Sequence, residues 1–325
     1  MKAVLCKAFG GPETLVVEEV PSPPIGRRDV RIAVHAAGLN FPDTLIIQGK
    51  YQFKPPFPFS PGMEVAGVVE AVGPEVTLVA PGQRVMATTG HGGFAEEAVA
   101  TEEKVYPIPD RMSFEEAAGF PITYGTTYHA LVDRAQMKPG EWLLVHGAGG
   151  GVGLNAVELG RLMGAKVIAT AGSPSKLALA KEYGADYLID YSKEKIRDRV
   201  KEITGGNGAD VIYDPVGGDV FDESMRCIAW NGRLLVIGFA SGRIPEVPAN
   251  LVLLKGCQIV GVFWGSFAAR DPDANRRNFQ TLLGWFDEGR LKPYVSGHYR
   301  LEEVPQAMNA LLARKVSGKA VIKVR

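Results

Sequence analysis

Short apolar runs alternate with tight turns through the first part of the chain. Up to about residue 100, runs rich in β-branched residues are separated by turns such as Pro61-Gly62 and Pro81-Gly82. The runs that predict strands are residues 30–37, 65–72, 84–87 and 95–99. Short strands at this spacing are typical of antiparallel, barrel-like domains. We therefore predict a mainly β domain here.

The pattern changes near Met112. Ser113 and Glu116 form a capping box, which predicts a helical segment leading towards residues 126–132. Farther on, continuous apolar runs predict parallel strands covered on both faces: residues 142–145, 167–170, 211–213, 234–237 and 259–262. Two more helical patterns and a closing strand at 320–324 follow. The predicted class is α/β, with a parallel sheet in addition to the β domain.

A glycine run joins the first parallel strand to an amphipathic helix. The run is residues 147–153 (GAGGGVG), and Val152, Ala156, Leu159 and Met163 form the apolar stripe of a helix that Gly164 ends. Backbone without side chains can approach a pyrophosphate, which the helix N-terminus attracts. The run has the form AxGxxG and predicts a Rossmann-type dinucleotide site. The alternative is a tight strand-to-helix turn with no ligand.

The end of the second parallel strand indicates which dinucleotide binds. NAD-specific folds place a carboxylate there, about 20 residues after the glycines, to hold the ribose 2′-hydroxyl. Residues 169–176 read ATAGSPSK and contain no acid. The Ser173 hydroxyl and the Lys176 ammonium would suit the 2′-phosphate of NADPH, unless Lys176 is only a solvated helix lysine. We predict NADPH as the cofactor.

Composition excludes several partner classes. The 36 basic side chains balance the 36 acidic ones, and no stretch is long and apolar enough for a membrane helix. Neither nucleic acid nor membrane is an expected partner. The three cysteines are widely spaced and odd in number, and the first residues lack the features of a signal peptide, so we expect a reduced, cytoplasmic protein.

The histidines and cysteines do not form a metal-ligand pattern. The histidines stand at 35, 91, 129, 146 and 298, with no HxxxH or HxH spacing and no cysteine two to four residues away. A catalytic zinc needs three protein ligands. We therefore predict no metal site.

Several motifs together resemble one family. They are residues 1–4 (MKAV), 10–13 (GGPE), 37–43 (AGLNFPD), 61–67 (PGMEVAG), 126–131 (TTYHAL), 147–153, 204–206 (TGG), 213–218 (YDPVGG) and 318–319 (GK). In this order they resemble the zinc-independent quinone oxidoreductase, or zeta-crystallin-like, branch of the medium-chain dehydrogenase/reductase superfamily. Zinc-dependent relatives carry a cysteine at the position of Asn40 and a histidine at that of Met63, so the resemblance also implies a metal-free protein.

The resemblance implies a domain division and a set of cofactor contacts. Residues 1–122 and 264–325 would form a GroES-like catalytic domain, and residues 123–263 an NADPH-binding Rossmann domain, with the active site in the cleft between them. The implied cofactor contacts are Gly149, Gly150, Gly151, Val152, Ser173, Lys176, Tyr191, Gly238, Phe239, Phe263, Trp264 and Arg314. An exposed sixth strand would pair with that of a second copy in a homodimer.

The expected chemistry is hydride transfer to a small-molecule electron acceptor, a quinone or a related conjugated carbonyl compound. A positioned donor would stabilise the negative charge on the acceptor oxygen. Asn40 and Tyr51 are the candidate catalytic residues. The alternative for Asn40 is a turn after a strand, and for Tyr51 stacking on the cofactor; Asp43 is expected to be a structural acceptor. Two alternatives stay open: a 2-alkenal, enone or enoyl-thioester reductase, and a non-catalytic NADPH-binding or crystallin-like structural protein.

Overall fold

The computed structural model describes all 325 residues, which form two compact units. The first unit comprises residues 1–122 and 272–325, and the second residues 123–271. The strands are β1 (Lys2–Leu5), β2 (Val16–Glu19), β3 (Asp29–Leu39), β4 (Glu64–Val72), β5 (Arg84–Thr88), β6 (Glu97–Thr101), β7 (Val105–Pro107), β8 (Trp142–Val145), β9 (Lys166–Ala171), β10 (Tyr187–Asp190), β11 (Ala209–Asp214), β12 (Ile228–Val236), β13 (Gln258–Gly261), β14 (Val295–Arg300) and β15 (Lys319–Lys323).

Helices occur mainly in the second unit and at the end of the chain. They are α1 (Phe41–Ile46), α2 (Phe114–Ala118), α3 (Pro121–Tyr128), α4 (Gly151–Leu162), α5 (Pro174–Glu182), α6 (Ile196–Ile203), α7 (Asp219–Cys227), α8 (Ala249–Lys255), α9 (Trp264–Arg270), α10 (Pro272–Asp287) and α11 (Val304–Leu312). A π-helical segment, His129–Arg134, follows α3. None of the helices is long and apolar enough to cross a membrane.

The first unit is built on a seven-stranded, mainly antiparallel sheet. Its order is β14-β15-β3-β4-β5-β7, and β6 also pairs with β3; β1 and β2 form a separate hairpin-like pair. Alternate residues of β3, including Val30, Ile32 and Val34, are fully buried in the core. The late strand β15 pairs with β3 between Ala320 and Leu39, so the end of the chain completes the sheet that its beginning starts.

The second unit is a doubly wound α/β unit. Its six strands are all parallel, in the order β10-β9-β8-β11-β12-β13. Leu143, Leu144 and Val145 of β8 are fully buried, as expected of a central strand with helices on both faces. This confirms the predicted class, and it leaves β13 as one edge of the sheet.

Local signals in the sequence account for several boundaries. The capping box predicted at Ser113 is present, because the Ser113 hydroxyl accepts from the Glu116 N–H and the Glu116 carboxylate accepts from the Ser113 N–H. Gly164 follows α4 with a φ of +82°, which suits the predicted glycine cap. The strand predicted at 95–99 lies two residues later, at Glu97–Thr101.

The unit boundary after the parallel sheet lies at 271, where the sequence suggested 263. The eight intervening residues contain α9, which follows β13 directly. Trp264 opens this helix and packs against Gly125 of α3: a Cβ built at residue 125 would lie 2.7 Å from the indole. Helix α9 therefore belongs to the second unit.

Candidate functional site

The glycine turn between β8 and α4 contains glycines of two kinds. Gly147 has a φ of +59°, and a Cβ at Gly153 would lie 2.2 Å from the Gly147 carbonyl oxygen. The fold itself requires both of these glycines. Gly150 differs, because its φ of −90° and ψ of 174° suit any residue and a Cβ there would meet only the Gly147 oxygen, at 3.4 Å. The open space at Gly150 is thus available to a ligand.

A buried threonine hydroxyl bonds the first turn of α4, and a buried tyrosine hydroxyl contacts that threonine. Thr127 of α3 donates to the Val152 carbonyl oxygen at 3.3 Å, and its Oγ1 lies 3.0 Å from the Tyr213 hydroxyl. Both side chains are fully buried. The first N–H groups of a helix have no partner within the helix, and they face its N-terminal end. The 12-residue α4 therefore presents fixed amides and a positive dipole end at the glycine turn.

A buried histidine fixes the end of β8 just before this turn. Nε2 of His146 lies 2.7 Å from Ser224 Oγ, and Nδ1 lies 3.0 Å from Thr170 Oγ1. Since the Ser224 hydroxyl donates to the Val220 carbonyl, it accepts from Nε2–H, and Nδ1 accepts from Thr170. Burial lowers the pKa of His146 and favours this neutral form. The residue is structural and joins β8, β9 and α7.

The wall beside the glycine turn carries a cation and hydroxyls. The Lys176 stem packs on Gly149, where a Cβ would lie 2.5 Å from Lys176 Cβ. Ser173 is the N-cap residue of α5, with its hydroxyl 3.3 Å from that of Ser175. The Tyr191 side chain lies against Gly172, with its hydroxyl oxygen 2.7 Å and its nearest ring carbons 2.8 Å from a Cβ built there. The structure thus gathers Ser173, Lys176 and Tyr191 around the end of β9.

The residues after β12 and β13 differ in accessibility. Phe239 and Phe263 are exposed, and a Cβ at Gly238 would meet only the Pro215 oxygen, at 3.5 Å. Trp264 is instead buried in the packing of α3, as described above. We therefore leave Trp264 out of the proposed cofactor contacts. Arg314 lies in the other unit, after α11, with a left-handed φ of +57°.

In the first unit, Asn40 belongs to a buried polar cluster with Asp43, Glu64 and Lys319, here called the Asn40 cluster. Asn40 Oδ1 accepts from Lys319 Nζ at 2.8 Å, and Asn40 Nδ2 donates to Glu64 Oε1 at 2.8 Å. Asn40 is the N-cap residue of α1, and its backbone N–H donates to Asp43 Oδ2 at 2.7 Å. The amide is held rigidly, and its remaining Nδ2 hydrogen has only a long 3.5 Å contact with the Gly38 oxygen.

Tyr51 lies a few residues after α1 and is partly buried against the core of the first unit. Burial raises the pKa of its phenol, and the Asp43 charge raises it further. The phenol is therefore a hydrogen-bond donor at neutral pH. Across the chain, no three His, Cys, Asp or Glu side chains are grouped so as to hold a metal ion.

Comparison with known proteins identifies the family. An alcohol dehydrogenase GroES-like domain matches residues 26–110, and a zinc-binding dehydrogenase domain matches residues 151–288. The quinone oxidoreductase-like protein 2 homolog of Nematostella vectensis is 45% identical, over 100% of this chain and 89% of that protein. The quinone oxidoreductase of Pseudomonas aeruginosa is 36% identical, over 99% of each. The chain belongs to the quinone oxidoreductases of the medium-chain dehydrogenase/reductase superfamily.

Solved quinone oxidoreductases share the fold of this chain over its full length. The Escherichia coli quinone oxidoreductase, crystallised in complex with NADPH, has a TM-score of 0.93 and 29% identity, covering 99% of this chain and 100% of that one. The Pseudomonas syringae quinone oxidoreductase has a TM-score of 0.92 and 35% identity, covering 99% of both. The family resemblance of the sequence is confirmed, and with it the class of enzyme, an oxidoreductase.

Several polar residues of the candidate site were not singled out in the sequence. Glu64 and Lys319 were noted only as parts of family motifs. In the structure, Glu64 accepts from Asn40 Nδ2, and Lys319 donates to Asn40 Oδ1. They lie 255 residues apart, so no local pattern links them. Thr127, which bonds the first turn of α4, and Tyr213, which contacts Thr127, were likewise noted only as parts of family motifs.

Proposed function

We propose that this protein is an NADPH-dependent oxidoreductase that transfers a hydride to a quinone or a related conjugated carbonyl compound without a metal. The observation that carries the cofactor assignment is the open turn at Gly150, flanked by Lys176 and with no carboxylate at the end of β9. The names of the relatives support a quinone as acceptor, at identities up to 45% over the whole chain.

The residues of the second unit fit such a cofactor. Gly149 to Val152 would hold the pyrophosphate with backbone N–H groups, because the open space lies at Gly150 and the α4 dipole favours an anion. Ser173, Lys176 and Tyr191 would surround the 2′-phosphate. Gly238, Phe239 and Phe263 would line the nicotinamide, and Arg314 is a further proposed contact. When bound, NADPH supplies the hydride.

The catalytic contribution of the protein is proposed to come from Asn40 and Tyr51. Positioning of donor and acceptor accounts for much of the rate of a hydride transfer. Tyr51 would donate to the acceptor oxygen, and the outer hydrogen of the Asn40 amide would support the same charge. Asn40 and Met63 occupy positions that are cysteine and histidine in zinc-dependent relatives, which supports a metal-free reaction.

A steady-state screen tests the function. We expect NADPH oxidation to be fastest with quinones, slower with enals and enones, and slowest with acyl-CoA thioesters. Higher kcat/KM for an enal or a thioester would favour the reductase alternative. NADPH binding without turnover of any acceptor would favour a non-catalytic role, and absence of NADPH binding would overturn the proposal.

We also propose that the protein is a homodimer formed through the β13 edge. Large apolar side chains are exposed on the second unit: Trp230, Ile244, Leu253 and Leu254 are each at least 69% exposed. An unpaired strand edge beside apolar side chains favours self-association. The three cysteines are free and buried, which supports a reducing compartment, and the cytoplasm is the proposed location.

A further inference from the structure

Three neighbouring strands bring charged side chains to Asn40 at one end of the first sheet. Asn40 directly follows β3, Glu64 is the first residue of β4, and Lys319 is the first residue of β15. Because β3 pairs antiparallel with both β4 and β15, the start of each partner strand lies beside the end of β3. An acid and a base that are 255 residues apart in the sequence therefore meet at Asn40.

Two glycines leave room for these charged side chains. A Cβ at Gly38 would clash with Glu64 Oε1 and with a backbone carbonyl oxygen, and a Cβ at Gly119 would lie 3.3 Å from Lys319 Cγ. Neither glycine has a left-handed φ, so backbone conformation alone does not require glycine at these positions. The missing side chains allow the carboxylate and the lysine stem to reach Asn40.

Lys319 and Glu64 form a buried ion pair in which every donor and both oxygens are used. Lys319 Nζ donates to the Leu39 carbonyl oxygen at 2.8 Å, to Asn40 Oδ1 at 2.8 Å and to Glu64 Oε1 at 2.7 Å. Glu64 Oε1 also accepts from Asn40 Nδ2 at 2.8 Å, and Oε2 accepts from the Ile122 N–H at 2.8 Å. Glu64 is 0% exposed and Lys319 is 6% exposed, so the pair is fixed inside the first unit.

This ion pair determines which way round the Asn40 amide lies. An ammonium group can only donate hydrogen bonds, and an ionised carboxylate can only accept them. The amide atom facing Lys319 is therefore the oxygen, and the atom facing Glu64 is the nitrogen. A flipped amide would oppose donor to donor on one side and acceptor to acceptor on the other. The second Nδ2 hydrogen, whose contact with the Gly38 oxygen is 3.5 Å long, is the one left for a further acceptor.

We propose that Lys319 and Glu64 are positioning residues for the reduction of the acceptor and act through Asn40. The inference rests on the proposed function, in which the outer hydrogen of the Asn40 amide supports the negative charge on the acceptor oxygen. An amide can present either its N–H or its carbonyl oxygen, and only the N–H stabilises that charge. The ion pair orients the N–H before the acceptor binds, so the donor is preorganised for the transition state.

Stability alone is a poor reason for such a pair. The cost of removing two charges from water offsets their mutual attraction, so a buried ion pair often adds little to the free energy of unfolding. A pair that only joins β4 to β15 would influence turnover through folding and not through Asn40. The experiment therefore has to separate orientation of the amide from support of the sheet.

The test variant is the double substitution Lys319→Met/Glu64→Gln, here called the neutral-pair variant. Changing either residue alone would leave a buried charge unpaired and endanger folding, whereas the double change removes both charges together. The matched control is Lys323→Met/Glu115→Gln, which removes a more exposed Lys–Glu pair, 3.8 Å apart, that also involves β15. Thermal melts establish that both proteins are folded at the assay temperature.

Steady-state kinetics with a quinone give the first readout. In the neutral-pair variant, kcat and kcat/KM should fall together by about ten- to a hundredfold, because an interaction made only in the transition state is weakened. KM and the NADPH dissociation constant should change by less than about twofold, since substrate and cofactor binding are not touched. The control should match the parent. An unchanged kcat in a folded neutral-pair variant would overturn the proposal.

A double-mutant cycle shows whether the pair acts through Asn40. In an Asn40→Ala background, the neutral-pair substitutions should lower kcat by less than about twofold further, because the side chain that they orient is gone. The same further loss in the Asn40→Ala background as in the parent would refute the positioning role and leave a purely structural one.

Nuclear magnetic resonance of ¹⁵N-labelled protein gives a readout that needs no turnover. The two Nδ2 protons of Asn40, assigned by their loss in Asn40→Ala, should have widely separated shifts in the parent, because one of them bonds a carboxylate. The separation should shrink in the neutral-pair variant and persist in the control. Equal separation in parent and neutral-pair variant would overturn the orientation of the amide by the pair. A parent inactive on every acceptor would overturn the proposed function and the catalytic role together, whereas the amide signals would still decide whether the pair orients Asn40.

Discussion

The side chain of Lys176 packs directly over the Cα of Gly149. A Cβ built at residue 149 would lie 2.5 Å from Cβ and 2.6 Å from Cγ of Lys176, both near the α5 backbone. Gly149→Ala should therefore displace α5 and the Lys176 ammonium. We expect about a tenfold loss of NADPH affinity with a smaller loss for NADH, measured by fluorescence titration. Equal losses of affinity for NADPH and NADH would show that Lys176 does not contact the 2′-phosphate.

Gly150 and Gly153 provide a matched pair of variants in the same turn. Gly150→Val places a side chain in open space, so the free energy of unfolding should stay within about 0.5 kcal/mol of the parent while NADPH binding collapses. Gly153→Ala meets the Gly147 oxygen and should cost about 1–3 kcal/mol of stability. Thermal melts and NADPH titrations on both variants check this. Normal NADPH binding by a stable Gly150→Val protein would show that the pyrophosphate does not bind at this turn.

Lys176→Ala should abolish most of the preference for NADPH. Loss of a charge-assisted hydrogen bond to a phosphate costs roughly 1.5–3 kcal/mol, or about ten- to a hundredfold in affinity. NADH binding should change little, and Lys176→Arg should retain most of the preference because the charge stays. Equal dissociation constants for NADPH and NADH in the parent protein would disprove the assignment.

Metal independence is a separate prediction. Dialysis against a strong chelator should leave quinone reduction unchanged, because no ligand set of the kind that zinc requires is present. Metal analysis of the purified protein accompanies the assay. Stoichiometric zinc, with activity lost on its removal and regained on its return, would disprove the prediction.

Periodicity sufficed to predict the central parallel strands, because these are continuous apolar runs bounded by turns. β8 lies at the predicted residues, 142–145. β10 and β14 were not predicted, since β10 reads Tyr-Leu-Ile-Asp at a sheet edge and β14 alternates polar residues with half-buried ones. The glycine turn was found because its residues are contiguous. The Asn40 cluster was only partly found, because its charge balance depends on Lys319 reaching Asn40 across 279 positions.

The proposed dimer depends on apolar residues around β13 and α8. Leu254→Glu should weaken dimerisation at least about tenfold, because it places a charge in the apolar patch. Leu312→Glu, on the first unit, is the control and should leave association unchanged. Analytical ultracentrifugation measures both. A parent protein that sediments as a monomer at micromolar concentration would contradict the dimer.

The pairing of β15 with β3 has a consequence for how the protein is synthesised. The second unit is continuous in sequence, so all its contacts become available once residue 271 has left the ribosome. The first unit stays incomplete until β15 has been synthesised. Until then the backbone of β3 that pairs with β15 has no partner there, while almost three hundred further residues are made. Such long-range pairing is slow and prone to aggregation. We therefore expect truncation before residue 319 to leave a folded α/β unit tethered to a chaperone-dependent β segment.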